Sequence, residues 1–549
     1  MRFAIFWKSK KSSDAIQIIT IFALIKPICC TMQKLPIGIQ SFEKLRTDDD
    51  YAYVDKTTFL YELVKNRGYY FLSRPRRFGK SLLLSTLKAY FEGKKELFEN
   101  LAIAEMEQTW EAYPVLYLDL NVGLYTSTDG LLEALNSNLV VWEEKYGIKP
   151  NSTDTAQRFK YIIRTVAQSL GKKAVILIDE YDKPLLQAID NEPLQQDYRN
   201  ILKSFYSNLK TCDEYIRFAM LTGVSKFSKI SLFSDLNNLT DISLYERYAD
   251  ICGLTAEEIS SSFSDYLEAF AQKEGVDKAT ITEQLRQMYD GYHFSEDLTK
   301  DMYNPFSVLN ALAEKKFRNF WFSTGTPTFL IKLLQNGNYD LQDFSSGNIL
   351  ASDLAAKESL SKEPIAMFYQ TGYLTIKGYD KEIELFCLGF PNREVEQSFL
   401  NFLLPRYTGN TDNDSSAFIG YFVRDLRKGD IKSFLNRMKS FFADTPYEIV
   451  RDLENHYQNV MFTVCRLLGY YTTSEYHTSN GRIDMVVKTP QFIYAFEFKF
   501  NKSAEEALAQ IDEKDYPLPF EADGRKIFKI GINFSKETRN IDSFVWKEG

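Results

Sequence analysis

The chain has 549 residues, of which 44% are hydrophobic and 26% are charged, as in an ordinary globular protein. A single hydrophobic core rarely grows to this size, so we expect about two to four domains. The formal net charge of -8 argues against a surface coated for nucleic acid, although a local basic groove could still bind a phosphate backbone. Six scattered cysteines are typical of reduced thiols in a cytoplasmic protein, and three widely separated histidines do not suggest a metal cluster.

We interpret residues 1–31 as a doubtful N-terminal extension. Lysines precede an apolar run near residues 15–25, which loosely resembles a signal peptide. The run holds Gln17, ends at Lys26 and is too short to span a bilayer. Globular patterning begins at Met32, so we favour a spurious upstream extension over a cleaved signal or a membrane-surface helix. No other segment is a transmembrane candidate, and we expect no stable membrane association.

Four short apolar runs alternate with helical patterns in the first half of the chain. The runs are apolar throughout, which is typical of strands that are covered on both faces of a sheet. Their alternation with helices predicts an α/β fold with a parallel sheet. The predicted strands are 68–73, 114–121, 173–180 and 216–223, and the helices between them include 80–91 and 128–145.

The stretch "FLSRPRRFGKSLLLSTLKAYF" (71–91) contains the second half of a phosphate-binding loop, G-x-x-x-x-G-K-[ST], but Arg74 stands at the first glycine. Gly79 would let the backbone approach a phosphate closely. Lys80 would reach the β- and γ-phosphates, and Ser81 would bind Mg²⁺ at the start of a helix. The alternative is a basic surface turn, because isolated Gly-Lys-Ser triplets are common.

A second signal favours the nucleotide site. The run "AVILIDEYD" (174–182) places Asp179 and Glu180 at the end of a predicted parallel strand, on the edge of the sheet that also carries the loop. Asp179 could hold the Mg²⁺ shell, and Glu180 could polarise the attacking water. Without the loop, the alternative interpretation of Asp179 and Glu180 is a strand that ends in a solvated acidic turn.

These segments resemble the AAA-ATPase-like family of P-loop ATPases, which is usually fused to a C-terminal nuclease-like domain. The resemblance is strongest over residues 36–260, and the form Arg-Pro-Arg-Arg-Phe-Gly-Lys-Ser is that family's own variant of the loop. It is carried by "YVDKTTFLYEL" (53–63), "RPRRFGKSLLLSTLKAYFEGK" (74–94), "VILIDEYDKPL" (175–185) and "LTGVSKFS" (221–228).

The resemblance implies ATP and Mg²⁺ as cofactors, with roles for the loop and for the two acids after the strand. By this resemblance Lys80 and Ser81 carry phosphate and Mg²⁺, and Asp179 and Glu180 are the metal-linked acid and the base. Thr222 or Ser225 could sense the γ-phosphate, or could cap a turn.

Three arginines lead into the loop. Arg74, Arg76 and Arg77 are apt partners for phosphate. They could equally be surface charges, or reach a neighbouring subunit of a homo-oligomer. No arginine finger is identified.

From about residue 250 the pattern becomes helical. Thr255 and Glu258 have capping-box spacing at the start of a helix. A β-like piece follows at 372–390, and the polar run 408–417 predicts a loop and a domain junction. The predicted domains are 32–250, which is AAA-ATPase-like; 251–410, a helical lid or coupling region; and 411–549, which is nuclease-like.

A second candidate site, made of two acids and a lysine, lies near the C-terminus. "RIDMVVK" (482–488) and "FIYAFEFKF" (492–500) predict a hairpin in which Glu497 and Lys499 share a face and Asp484 converges with them. Two carboxylates can bind Mg²⁺, and a lysine can position or activate water for phosphodiester cleavage. Such a pattern is common on half-exposed strands. Here, however, the charges lie among large apolar residues, which is costly unless they are paired or functional.

This stretch resembles the PD-(D/E)XK nuclease core, a restriction-endonuclease-like α/β domain. The resemblance implies a preceding helix, 446–470, on which Glu454 is a further metal ligand, and a later helix on which Gln510 is a supporting residue. For each of these two residues the alternative is a polar position at a helix edge. His477 and Arg482 could touch phosphate.

The sequence as a whole predicts a cytoplasmic ATPase fused to a Mg²⁺-dependent nuclease. DNA is the expected partner by analogy with such nuclease folds. One alternative is a signalling or scaffold ATPase whose C-terminal domain binds nucleic acid or a partner without cleaving it. The other is a nuclease whose ATPase domain binds nucleotide but barely hydrolyses it.

Overall fold

The computed structural model describes residues 32–48, 51–66, 68–121, 123–226, 238–324, 348–354, 364–408, 412–443, 453–469, 473–476, 484–514, 520 and 524–548. The predicted N-terminal extension lies outside these segments, as do His477, Arg482 and the side chain of Glu454. Within the described segments, no helix combines the length and the apolar character needed to cross a membrane.

The first sheet is parallel throughout, which confirms the predicted α/β fold. Its strands are β1 (Tyr69–Ser73), β2 (Val115–Asp119), β3 (Ala174–Asp179), β4 (Ile216–Gly223) and β5 (Leu239–Asp241), in the spatial order β2-β3-β4-β1-β5. Because successive side chains alternate between faces, Phe71 enters the core on one face and Leu72 the core on the other. The four predicted strands are all present, whereas β5 is too short to give a periodic signal.

Helices cover both faces of this sheet. The helix that begins at Lys80 has its predicted bounds. The next long helix is capped by the Ser127 hydroxyl at one end and by Gly147, in the left-handed conformation, at the other. The α-helices of this part are Phe42–Thr47, Thr57–Lys65, Lys80–Phe91, Ala102–Met106, Thr128–Tyr146, Thr155–Leu170, Lys183–Gln187, Glu192–Tyr206 and Asn208–Thr211.

The middle region is mainly helical, and the predicted capping box is present. The Thr255 hydroxyl accepts the Glu258 N–H at 3.2 Å, and the Glu258 carboxylate accepts the Thr255 N–H at 2.9 Å. The helices are Ala256–Ser262, Ser264–Glu274, Lys278–Tyr289, Pro305–Glu314, Ala351–Leu354 and Pro364–Thr371. A small antiparallel sheet of β6 (Asn348–Leu350), β7 (Thr375–Asp380) and β8 (Leu385–Gly389) has the order β6-β8-β7, and β7 and β8 form the predicted β-like piece.

One hydrophobic core extends from the first sheet into the middle region. Leu72 and Leu84 of the first part share it with Phe294 and Phe368 of the middle part. The boundary predicted at residue 250 therefore crosses a continuous core, and the predicted domain limits stay predictions.

Glu394 is a buried acid that ties several elements of the middle region together. Its carboxylate accepts the Ser307 hydroxyl and the Trp321 backbone N–H, each at 2.7 Å. Burial raises the pKa of Glu394 to about 7.

We predict that Glu394 makes folding less favourable as the pH rises from about 5 to 7. The unfolded glutamate loses its proton near its ordinary pKa of 4.5, whereas the folded one keeps it to about 7. At about 1.4 kcal/mol per pKa unit, this costs about 3 kcal/mol of stability above pH 7.

Glu394→Gln should remove this part of the pH dependence, as measured by denaturant midpoints at pH 5 and pH 8. The pKa values of Asp182 and Asp290 are also raised, to about 6. These two acids contribute the same pH dependence to the stability of the wild-type protein and of Glu394→Gln. Identical pH dependence in the two proteins would contradict the prediction.

The second sheet is mixed and contains the predicted hairpin. Its strands are β9 (Thr473–Tyr476), β10 (Met485–Lys488), β11 (Phe492–Phe500), β12 (Lys526–Ser535) and β13 (Asn540–Glu548), in the order β13-β12-β11-β10-β9. β10 and β11 are antiparallel, and β11 and β12 are parallel, joined through the helix Ala504–Glu513. That helix lies close to the sheet because β12 presents Gly531, where a Cβ would lie 2.2 Å from the Ala504 carbonyl oxygen.

The loop predicted at residues 408–417 is wrong for its second half. A helix begins at Asp412 and continues to Lys428. Asp, Asn and Ser are common both in turns and at helix N-termini, so the polar composition did not distinguish the two. The other helices of this part are Arg393–Thr408, Ile431–Ala443 and Leu453–Gly469, the last of which falls within the helix predicted at 446–470.

Candidate nucleotide and nuclease sites

The phosphate loop follows β1 and ends in the first turn of the helix that begins at Lys80. Gly79 has a φ of +97°, a left-handed conformation that glycine adopts without a Cβ penalty. The Lys80 side chain is buried, and its Nζ lies 3.1 Å from the Arg74 carbonyl oxygen and 3.2 Å from that of Pro75. The same Nζ lies 3.5 Å from Oε1 of Glu180. Together with the free N–H groups of the helix end, this ammonium makes a cradle suited to phosphate.

Two acids lie at the carboxyl end of β3, at the same edge of the sheet as the loop: Asp179 is the last residue of the strand and Glu180 follows it. Oδ1 of the buried Asp179 accepts the Thr222 hydroxyl at 2.6 Å, and the nearby Ser81 hydroxyl favours the charged form of this carboxylate. Burial, followed by the charge of Glu180, raises the pKa of Asp179, an effect that a bound cation would offset. Glu180 has a φ of +55°, a strained conformation for a residue other than glycine and one that is often found at functional sites.

A cavity of about 720 Å³ opens beside the loop. Ligand sites commonly measure about 300–1,000 Å³, so a nucleoside triphosphate fits this volume. Arg77 also lines the cavity, with its guanidinium 5.0 Å from the ring centroid of Phe306. The polar wall includes Lys80, Ser81 and Glu180, and the apolar wall includes Ile39, Val54, Leu254, Phe263 and Leu309.

The two hydroxyl residues predicted to sense the γ-phosphate both face acids. Thr222 is fully buried and donates to Asp179, and the Ser225 hydroxyl donates to Asp182 at 2.6 Å. Neither residue is among those that line the cavity. The geometry therefore gives Thr222 a contact with Asp179, and Asp179 is likewise not among the residues that line the cavity.

Asp182 is a buried acid that the sequence reasoning missed. One carboxylate oxygen accepts both the N–H and the hydroxyl of Ser225, each at 2.6 Å. Burial, followed by the charge of Glu180, raises the pKa of Asp182 to about 6. Asp182 therefore links Ser225, which follows β4, to the acidic segment at the end of β3. The sequence could have indicated Asp182, because it is the third acid of the run "DEYD" (179–182).

Arg74, where a standard loop has glycine, is a structural residue. Its guanidinium is buried and donates to the carbonyl oxygens of Ser73 at 2.9 Å, Ser243 at 2.8 Å and Tyr248 at 2.9 Å. It also lies 4.2 Å from the ring centroid of Phe294. Of the alternatives left open by the sequence, phosphate contact and surface charge are both wrong for Arg74, because its guanidinium is buried and both terminal nitrogens donate to the protein backbone.

We predict that Arg74→Ala lowers the free energy of unfolding by about 3 kcal/mol or more, because each buried carbonyl left without a donor costs about 1–3 kcal/mol. Arg77→Ala is the matched control, since Arg77 is exposed and should change stability little. Chemical denaturation of the two variants measures the difference. Equal, small effects would show that Arg74 is not structural.

Asp484, Glu497 and Lys499 meet on one face of the second sheet. In the register of β10 and β11, Asp484 lies opposite Glu497, and the Asp484 carboxylate accepts the Phe498 backbone N–H at 2.8 Å. Nζ of Lys499 lies 3.2 Å from Oε1 of Glu497. Gln510 accepts from Lys499 at 2.5 Å and donates to Glu497, so it bridges the pair from the helix above the sheet.

Glu497 is buried and Asp484 is half-buried, so solvent screens the repulsion between these two acids only weakly. Burial, followed by the charge of Glu497, raises the pKa of Asp484 to about 7, and burial likewise raises the pKa of Glu497. Oε2 of Glu497 is buried and has no hydrogen-bond partner among the described residues. An orphaned carboxylate oxygen beside a second carboxylate fits a divalent cation such as Mg²⁺, which prefers oxygen ligands.

The described residues do not complete a metal site by themselves. They contain no group of three or more histidines, cysteines and acids arranged to hold a metal ion. Glu454, whose side chain lies outside the described segments, stays a predicted ligand.

Both parts of the chain match known families. Residues 36–233 match the AAA-ATPase-like family model, described as predicted AAA-ATPase, and residues 452–544 match a family of the PD-(D/E)XK nuclease superfamily. The chain is therefore a fusion of an AAA-ATPase-like domain with a PD-(D/E)XK nuclease superfamily domain.

One relative is similar over nearly its whole length. The "Uncharacterized protein in vnfD 5'region" of Azotobacter chroococcum mcd 1 is 36% identical over 527 residues, which cover 93% of this chain and 98% of that protein. The chain therefore belongs to the same family as this relative, over nearly the full length of both proteins.

One solved structure has a weak similarity to this chain. It is the Aeropyrum pernix ORC2 protein, in ADPNP-ADP complexes, at 10% identity, with 61% of this chain and 87% of that chain covered. The TM-score of 0.25 is too low for this likeness to support a conclusion about fold or function.

Proposed function

We propose that the chain is a cytoplasmic ATPase coupled to a Mg²⁺-dependent nuclease that acts on DNA. The observation that carries the nuclease is the meeting of Asp484, Glu497 and Lys499 around an unpartnered carboxylate oxygen. A structural ion pair would need only one acid. A second, half-buried acid opposite the first has a cost that a metal ion would remove.

In the ATPase domain we assign phosphate binding to Gly79 and Lys80, with Arg77 on the cavity wall. Ser81 and Asp179 would hold Mg²⁺, because the Ser81 hydroxyl is near enough to the Asp179 carboxylate to favour its charged form. When bound, the metal would neutralise charge on the transferred phosphoryl group.

Two further residues complete this assignment. Glu180 would orient or activate the attacking water, and its carboxylate lies beside the Lys80 ammonium at the cavity wall. Thr222 would act through Asp179, by holding its carboxylate in place.

In the nuclease domain Asp484, Glu497 and Glu454 would hold Mg²⁺. Lys499 would position the attacking water and stabilise the charge that develops on phosphorus. Gln510 keeps Lys499 and Glu497 in their relative positions.

The test uses the purified full-length protein with supercoiled plasmid and with single-stranded DNA. Each is incubated with Mg²⁺ or with EDTA, and with or without ATP. Cleavage that requires Mg²⁺ supports the proposal. DNA binding and ATP hydrolysis without cleavage under any of these conditions would favour a scaffold ATPase instead, and cleavage without any ATP hydrolysis would favour a nuclease with an inert nucleotide domain.

A further inference from the structure

The arginine-rich lead-in of the phosphate loop is docked against the middle region. The carbonyl oxygen of Arg76 accepts the Trp321 indole N–H at 3.1 Å. The ring centroid of Phe78 lies 4.9 Å from that of Tyr292. Gly372 lies directly against Pro75, since a Cβ there would be 2.6 Å from the proline Cβ. A displacement of the loop must therefore move residues of the middle region as well, because packed interiors leave little free space.

Trp321 continues this contact to the start of a long helix. The indole of Trp321 bonds to the loop, and the backbone N–H of the same residue donates to Glu394 at 2.7 Å. Glu394 is the second residue of the helix Arg393–Thr408. One residue thus joins the loop to the N-terminal end of this helix.

The helix Arg393–Thr408 belongs to two hydrophobic cores. Phe399 and Leu403 pack in the core that also contains Trp321. Leu400 and Leu404 pack in the core of the nuclease domain. Because residues on different faces of one helix serve the two cores, a shift of this helix changes the packing of both.

The same helix contacts the helix that covers the nuclease sheet. Glu396 forms an ion pair with Arg466 of the helix Leu453–Gly469. Val460 of that helix shares a core with Phe496 of β11. Phe496 directly precedes Glu497, whose side chain lies on the opposite face of the strand. The contacts therefore lead from the nucleotide loop to the strand that carries the nuclease acid.

We propose that nucleotide bound at the Lys80 loop regulates the nuclease domain through Trp321, Glu394 and the helix Arg393–Thr408. The inference rests on the proposed ATP site and adds the route by which that site acts. The test asks whether both ends of this route respond to the same ligand.

The test measures hydrogen exchange of the full-length protein with and without ATP and Mg²⁺. We expect ATP to change amide protection in the helices Arg393–Thr408 and Leu453–Gly469. Trp321→Phe keeps an aromatic ring but removes the N–H donor to Arg76, so it should bind ATP yet lose these distant changes. Trp110→Phe is the matched control, because the Trp110 indole also donates to a backbone carbonyl, that of Glu107 at 3.0 Å, away from the route.

A second readout uses the reciprocity of linked sites. If ATP changes DNA affinity by some factor, DNA must change ATP affinity by the same factor, typically about 5- to 150-fold. We expect this factor to approach one in Trp321→Phe and to persist in Trp110→Phe. Glu394→Gln, which keeps the side-chain volume, replaces Trp321→Phe if that variant does not fold.

The outcomes separate the inference from the proposed function. If the wild-type protein does not bind ATP, both the proposed function and the inference are wrong. If it binds ATP and cleaves DNA, but the two helices exchange identically with and without ATP, only the inference is wrong. Coupling that survives in Trp321→Phe and in Glu394→Gln would also overturn it.

Discussion

Lys80→Ala is expected to reduce ATP hydrolysis by about 100- to 1,000-fold, the usual loss when a preorganised charge at a transferring phosphoryl group is removed. The Lys80 ammonium is buried at the helix N-terminus, within hydrogen-bonding distance of two loop carbonyls and beside Glu180. Alanine would leave Glu180 facing the phosphates without a neighbouring positive charge, so ATP affinity should fall as well. Phosphate release and a binding titration with ATP measure the two effects.

Lys94→Ala is the control for this variant. Lys94 lies shortly after the same helix and pairs with Glu43 and Glu92 near the surface, where ion pairs contribute about 0–1 kcal/mol. It should hydrolyse ATP at the wild-type rate. If Lys80→Ala retains both affinity and turnover, the assignment of the phosphate loop is wrong.

Glu497→Gln is expected to reduce Mg²⁺-dependent DNA cleavage by about 100- to 1,000-fold without unfolding the protein. The substitution keeps the size of the side chain and its contacts to Lys499 and Gln510, but removes the charge that would bind Mg²⁺. Because burial raises the pKa of Glu497, its charged form is disfavoured in the metal-free protein. The glutamine variant should therefore melt at the same or a higher temperature, as is common when an active-site charge is removed.

The matched control is Glu506→Gln, an exposed glutamate on the helix that carries Gln510. It should leave cleavage unchanged. Added Mg²⁺ should raise the melting temperature of the wild-type protein more than that of Glu497→Gln, because only the former keeps the full carboxylate pair. Equal cleavage by the wild-type protein and by Glu497→Gln would show that the proposed active site is wrong.

Local patterns predicted much of the fold. The fully apolar runs at 68–73 and 173–180 became parallel strands, because a strand that is covered on both faces must be apolar throughout. The alternation in "FEFKF" placed Glu497 and Lys499 on one face, since side chains alternate along any strand. The second half of the loop at 408–417 was predicted wrongly because turns and helix N-termini favour the same residues.

The sequence by itself determined the identity of the two domains and the residues at their candidate sites. Those signals depend on spacing within a loop, a strand or a hairpin, and such spacing is local. Only the tertiary structure decided what Arg74 and Thr222 do, because their partners come from other elements. Arg74 bonds to carbonyls at 243 and 248, and Thr222 to an acid on a neighbouring strand. The missing glycine is thus replaced by an arginine that anchors the loop, a role set by packing between distant segments.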